Sequence, residues 1–188
     1  MRIVAGKFKG RALSAPKGAN TRPTSDKARQ ALFNVLEHAA WALPLEDARV
    51  ADLFAGSGAL GFEAISRGAS FCLFVETDAA ARGTIRDNIE ALQLFGITRL
   101  HRRSATDLGE KPAKLGAPFN LLFLDPPYDR GLAPPALTGL IDGNWVADDA
   151  LAVLEVAADE DAPDVPGWEP VDERIWGAAK VVFLKRSQ

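Results

Sequence analysis

Asp125-Pro126-Pro127-Tyr128 follows directly on the apolar run Asn120-Leu121-Leu122-Phe123-Leu124, so a carboxylate, two rigid rings and an aromatic face stand at the end of a predicted strand. Two consecutive prolines fix φ near −65° and remove two backbone donors. The turn therefore offers acceptors: the Asp125 carboxylate and the proline carbonyls. Tyr128 adds a face on which a base can stack, a contact worth about 1–3 kcal/mol. A flat ring carrying an exocyclic amine, such as a nucleobase, suits all of these groups.

A second constellation lies upstream, in Asp52-Leu53-Phe54-Ala55-Gly56-Ser57-Gly58-Ala59-Leu60-Gly61. Its glycines let the backbone approach a ligand closely, and Glu76 ends the next predicted strand, where an acid accepts bonds from ribose hydroxyls. Gly56-x-Gly58-x-x-Gly61 satisfies the dinucleotide fingerprint, a weak signal by itself. Two features favour S-adenosylmethionine instead. Asp52 beside the turn would repel a pyrophosphate yet suits an ammonium group, and the acceptor-rich Asp125 turn has no use in hydride transfer.

Around these turns, strands are predicted at 49–54, 71–76, 98–102, 119–124, 150–156, 170–176 and 179–185, with helices near 59–67 and 79–94 between the early strands. This is βαβ rhythm, implying an α/β fold with a mostly parallel sheet, helices on both faces and a C-terminal antiparallel hairpin around Gly177. In such sheets ligands bind beyond the carboxyl ends of the strands, so the turns after the first and fourth strands can share one crevice. A helix starting at Thr24 or Ser25 carries an apolar stripe of Ala28, Ala31, Leu32, Val35 and Leu36. Residues 1–21 read as a small β-rich extension, with strands at Arg2-Ile3-Val4-Ala5 and Gly10-Arg11-Ala12-Leu13, and residues 22–188 as one domain.

At 188 residues with 47% apolar content, the chain can bury a core of that size. Its single cysteine, Cys72, lies in an apolar run and cannot form an internal disulfide, so a reducing cytoplasm is expected. No apolar run approaches the roughly 18 residues of a membrane helix, and no export signal is indicated. One cysteine and two separated histidines, His38 and His101, make a protein-built zinc site an unfavourable reading, and no metal is assigned. The net charge of −3 conceals an asymmetry: the first 29 residues hold eight lysines and arginines against Asp26, a balance of +7, leaving −10 on the rest. That basic arm, interleaved with Gly6, Phe8, Gly10 and Pro16, is expected to meet a polyanion through salt-sensitive phosphate contacts.

Taken in order, Arg2-Ile3-Val4-Ala5-Gly6 with Gly10-Arg11, Arg22-Pro23-Thr24, Ala31-Leu32-Phe33-Asn34, Asp52-Leu53-Phe54-Ala55-Gly56-Ser57-Gly58, Val75-Glu76, Asn88, Asp125-Pro126-Pro127-Tyr128, and the region from Trp145-Val146-Ala147 to Leu154-Glu155 resemble the bacterial 16S rRNA guanine-N2 methyltransferases of the RsmD type. These are class I S-adenosylmethionine-dependent enzymes with a Rossmann-like fold. The resemblance runs nearly end to end. It implies that Asp52, Phe54, Gly56, Ser57, Gly58 and Glu76 border the cofactor, and that Asp125, Pro126, Pro127 and Tyr128 hold the target base. Near the adenine such enzymes tend to carry Asp or Asn followed by Ala, whereas this chain has Ser104-Ala105-Thr106-Asp107. Ser104, Ala105 and Asp107 are therefore assigned to the cofactor set, with either Ser104 or Asp107 expected at the adenine edge.

The expected reaction is methylation of a guanine amine in 16S rRNA. Lys7, Lys9, Arg11, Arg22, Thr24 and Lys27 would contact RNA, and the partner would be a small-subunit assembly particle met by a monomer. Three alternatives stay open on the sequence: a DNA adenine-amine methyltransferase, an NAD-dependent oxidoreductase, and a non-catalytic RNA-binding or assembly module.

Overall fold

The computed structural model describes residues 1–17 and 24–188. Seven strands form one sheet: β1 (Arg49–Leu53), β2 (Phe71–Val75), β3 (Thr98–His101), β4 (Phe119–Leu124), β5 (Val146–Ala157), β6 (Trp168–Trp176) and β7 (Ala179–Arg186). Their order is β3-β2-β1-β4-β5-β7-β6. The first five run parallel, and β7 lies antiparallel between β5 and β6. Parallel strands buried on both faces read as continuous apolar runs, which is why the rhythm in the sequence located them.

The helices α1 (Asp26–His38), α2 (Ala59–Ser66), α3 (Ala79–Leu92) and α4 (Ala133–Asp142) divide between the two faces. Side chains of α1, α2 and α3 pack with Val50, Cys72, Phe74, Leu121 and Phe123 on one face. Those of α4 pack with Leu53, Val75, Leu122 and Leu124 on the other. The sequence reading did not include α4. Pro134 and Pro135 look like breakers, but they occupy the first turn, where a missing N–H costs little.

Of the two cap candidates, Ser25 caps α1, its hydroxyl accepting from the Ala28 N–H at 3.1 Å. One expectation is corrected. The buried face of α1 is Arg29, Leu32, Phe33 and Leu36, which shifts the anticipated stripe and places a charged residue at its head. The N-terminal segment forms no full strand, but its two arms pair antiparallel: Arg2 bridges Ala12, Ile3 N–H donates to the Arg11 carbonyl at 3.0 Å, and Leu13 N–H donates to the Met1 carbonyl at 2.9 Å. Several donors between the arms go to α2. Val4 and Ala5 N–H groups bond the Glu63 carboxylate at 2.9 and 3.0 Å, and Phe8 N–H bonds the Ser66 hydroxyl at 2.9 Å. Ile3 and Leu13 are buried in the same core as α1 and α2.

Candidate active site

Strand β1 is the switch point of the sheet: chain connections pass from it toward β2 and β3 on one side and, later, through β4 to β5 on the other. Leu53 pairs with both Val75 and Leu124, so the turns beginning at Phe54, Glu76 and Asp125 emerge side by side at the carboxyl ends of three neighbouring strands. This is the crevice in which doubly wound sheets bind ligands.

The turn after β1 is held open by backbone geometry and by carboxylates. Phe54, Gly56 and Gly58 adopt positive φ (58°, 58° and 79°). Gly56 N–H donates to Glu76 Oε2 at 2.7 Å, and Asp78 N–H donates to the other oxygen at 2.9 Å. A Cβ built on Gly56 would meet nothing within 4 Å, so this bend faces open space of the kind a ligand fills. Ser57 is anchored from behind: its carbonyl accepts from Asn88 Nδ2 at 3.3 Å, and Asn88 also bonds the Ser14 backbone in both directions, at 2.8 and 3.1 Å.

Asp52 is only 3% exposed, and its Oδ2 accepts from Gly61 N–H at 3.0 Å. It thereby caps α2 from within β1, where Gly58 has no side chain to do so. Burial, together with the nearby Asp125 and Glu76 carboxylates, raises its pKa well above the usual carboxylate range, against the lowering effect of the Gly61 bond. Gly61 allows α2 to lie close to the sheet. A Cβ there would fall 2.5 Å from Phe74 Cε1 and 2.7 Å from Cys72 Sγ. Gly61→Ala is therefore expected to destabilise the fold by about 1–3 kcal/mol, read as a fall of roughly 3–10 °C in Tm; an unchanged Tm would contradict this packing.

At the second turn Asp125 is half-buried and Pro126 buried, while Pro127 and Tyr128 are exposed. The Tyr128 hydroxyl donates to Glu155 Oε1 at 2.8 Å. Glu155 follows Leu154, which pairs with Leu124, so Asp125 and Glu155 also stand at adjacent positions. Burial and the charge of Glu155 push the Asp125 carboxyl up to about 7. A cleft lined by Pro126, Pro127, Tyr128, Glu155 and Val156 opens beside this turn. The Gly-rich turn and the acceptor-lined turn thus leave neighbouring strands at one edge of the sheet.

The family model described as conserved hypothetical protein 95 matches residues 1–185. The ribosomal RNA small subunit methyltransferase D of Escherichia coli K12 is 36% identical over 188 residues, covering 99% of this chain and 90% of that protein. The chain belongs to the RsmD family. The ribosomal RNA small subunit methyltransferase D of Haemophilus influenzae is 32% identical over 179 residues, covering 94% of this chain and 89% of that relative. Among solved structures, the Escherichia coli yhhF protein superposes with a TM-score of 0.81 at 35% identity, covering 99% of this chain and 97% of its own. The fold is thus the Rossmann-like class I methyltransferase architecture.

Within this RsmD-family fold, the remaining predicted residues separate into two groups. Ser104 and Ala105 follow β3 at the same carboxyl edge. Ser104 forms a local turn, its hydroxyl 2.8 Å from that of Thr106 and accepting the Thr106 N–H at 3.2 Å, and Ala105 is buried. Asp107 stands in irregular chain rather than on a helix, with an exposed side chain 3.6 Å from Arg103.

Lys7 and Arg11 are anchored away from this crevice. Lys7 N–H bonds the Ser66 carbonyl at the far end of α2, and Arg11 donates to the Ala91 carbonyl near the far end of α3. Since α2 starts at the glycine turn and spans eight residues, the Lys7 turn lies roughly 12 Å away along its axis. Lys9 belongs to that turn. Thr24 and Lys27 sit at the start of α1, where the Thr24 carbonyl accepts from buried Arg29. Arg22 lies outside the described residues.

Sequence reasoning missed Glu155 as part of the site. Its signal was available, since it is the one charge within the apolar stretch Leu151-Ala152-Val153-Leu154-Glu155-Val156.

Proposed function

We propose that this chain transfers a methyl group from S-adenosylmethionine to the N2 amine of one guanine in 16S rRNA. The observation that carries the reading is the adjacency of the Phe54–Gly58 turn and Asp125 across the Leu53 and Leu124 pairing. The name of the Escherichia coli relative supports RNA of the small ribosomal subunit as the acceptor.

The cofactor supplies an electrophilic methyl group carried on sulfur. The open bend at Gly56 fits its methionine portion, and Glu76 suits the ribose. Although each Glu76 oxygen already accepts one backbone N–H, a carboxylate oxygen retains a further acceptor site for a hydroxyl. Ser104 or Asp107 would face the adenine. Asp125 and the Pro126 carbonyl each accept one hydrogen of the target amine, which draws that nitrogen toward tetrahedral geometry and aims its lone pair. Positioning and stabilisation of the growing positive charge are the main devices. In this reading Asp125 then takes the proton that the nitrogen releases. Tyr128 stacks the extruded base.

Lys7, Lys9 and Lys27, with Arg11 and Arg22, are assigned to RNA phosphates. The place of Lys7 and Lys9 at the far end of α2 implies an RNA that wraps along the α2 flank. Neutralising Lys7 and Lys9 is expected to weaken RNA binding and lower its salt slope by about 2; an unchanged slope would remove these contacts. The expected substrate is a protein-bearing small-subunit particle, met by a monomer in the cytoplasm. The reading as a whole is tested by incubating such particles with methyl-labelled S-adenosylmethionine and digesting the RNA to nucleosides. Label in N2-methylguanosine is expected, whereas label confined to methyladenosine or to ribose methyls would overturn it.

A further inference from the structure

Among the described residues, the cleft beside Asp125 is lined by Asp129, Glu155 and Glu160 and by no lysine or arginine. It is therefore built for hydrogen-bond donors and against phosphate. Glu155 stands next to Asp125 across the β4–β5 pairing and is steered by the Tyr128 hydroxyl, which engages Oε1. Among the described residues no donor is bonded to its other oxygen. Two acceptors side by side, Asp125 for an amine and Glu155 beyond it, match an edge on which an amine is flanked by a ring N–H.

We propose that Glu155 accepts the N1–H of the target guanine and so selects guanine for reaction at N2. This rests on the guanine reading above. Guanine presents N1–H beside its N2 amine, a continuous row of donors. Adenine presents an acceptor at N1 beside its amine, which would face the Glu155 carboxylate lone pair to lone pair, and that mismatch selects against it. The N1–H to carboxylate bond also pushes electron density into the ring and toward N2, making a poor nucleophile better. Tyr128 has two tasks in this arrangement: its ring stacks the base and its hydroxyl fixes the carboxylate that reads it.

The test compares small-subunit RNA carrying guanine at the target position with the same RNA carrying 2-aminopurine, which keeps the C2 amine and lacks N1–H. The wild-type chain is expected to prefer guanine by about 100-fold in kcat/KM, the scale of one hydrogen bond to a charged group. Glu155→Ala is expected to methylate guanine about 100-fold more slowly and to discriminate by no more than a few-fold, with S-adenosylhomocysteine affinity by calorimetry unchanged. Glu155→Gln, whose amide oxygen still accepts N1–H, should recover part of both the rate and the discrimination. If Glu155→Ala keeps the wild-type preference for guanine, or methylates guanine within twofold of wild type, the inference is overturned while the guanine reading stands. If the wild-type chain methylates neither RNA, both fall together.

Discussion

Asp125→Ala is expected to lower methyl transfer to small-subunit RNA on the order of 100- to 1000-fold, the loss typical of removing one preorganised group that stabilises a transition-state charge. Cofactor binding should stay near wild type, because the loop at Gly56 is held by Glu76 rather than by Asp125. Activity within a few-fold of wild type would mean that the amine is held elsewhere. The pH profile adds a second readout. Asp125 is pushed up to about 7 by burial and by the neighbouring Glu155 charge, so kcat/KM is expected to rise with pH through that value as the carboxylate forms. Glu155→Gln removes the neighbouring charge and should move the midpoint lower. The stability effect has the opposite direction to activity. Between the ordinary aspartate range near 3.9 and about 7, the folded chain keeps a proton that the unfolded chain has released. Folding is therefore disfavoured by this group as pH rises through the window.

The largest stability effect is expected from Glu63→Ala. Glu63 is fully buried and its carboxylate accepts from Val4 N–H, Ala5 N–H and Arg67 Nε, with Arg29 Nε 3.6 Å away. Arg29 is also fully buried, bonded to the Thr24 and Arg2 carbonyls and to Asp26. Removing the carboxylate leaves two guanidinium groups short of a counter-charge and two backbone donors unsatisfied. Breaking one side of such a buried pair costs about 3–5 kcal/mol, a fall of about 10 °C or more in Tm. Because the same carboxylate pins residues 4 and 5, limited proteolysis should also cut the N-terminal segment sooner. A Tm within 2 °C of wild type would show that the segment is held by its Ser66 bonds and by burial of Ile3 and Leu13 instead.

This network explains what the sequence concealed. Arg29 stands at spacing i, i+3, i+4, i+7 with Leu32, Phe33 and Leu36, the pattern of a buried helix face, but its charge removed it from an apolar stripe. It also counted toward the basic arm, although it and Arg2 are paired with Asp26. The N-terminal pairing is short for a related reason. The Val4, Ala5 and Phe8 donors are claimed by Glu63 and Ser66, and long-range partners of that kind leave no local pattern. The sheet and its two site-bearing turns were legible because they rest on local signals: apolar runs for the strands, glycines at positive φ after β1, and two prolines after β4. The pairing of Tyr128 with Glu155 spans 27 residues and emerges only from the register of β4 on β5.

The most direct test of the shared crevice is a crystal structure with S-adenosylhomocysteine bound. The account predicts its ribose at Glu76, its amino-acid portion along the turn at residues 54–58, and its sulfur directed at Asp125 and Pro126. A ligand bound elsewhere, or one whose sulfur points away from Asp125, would contradict it.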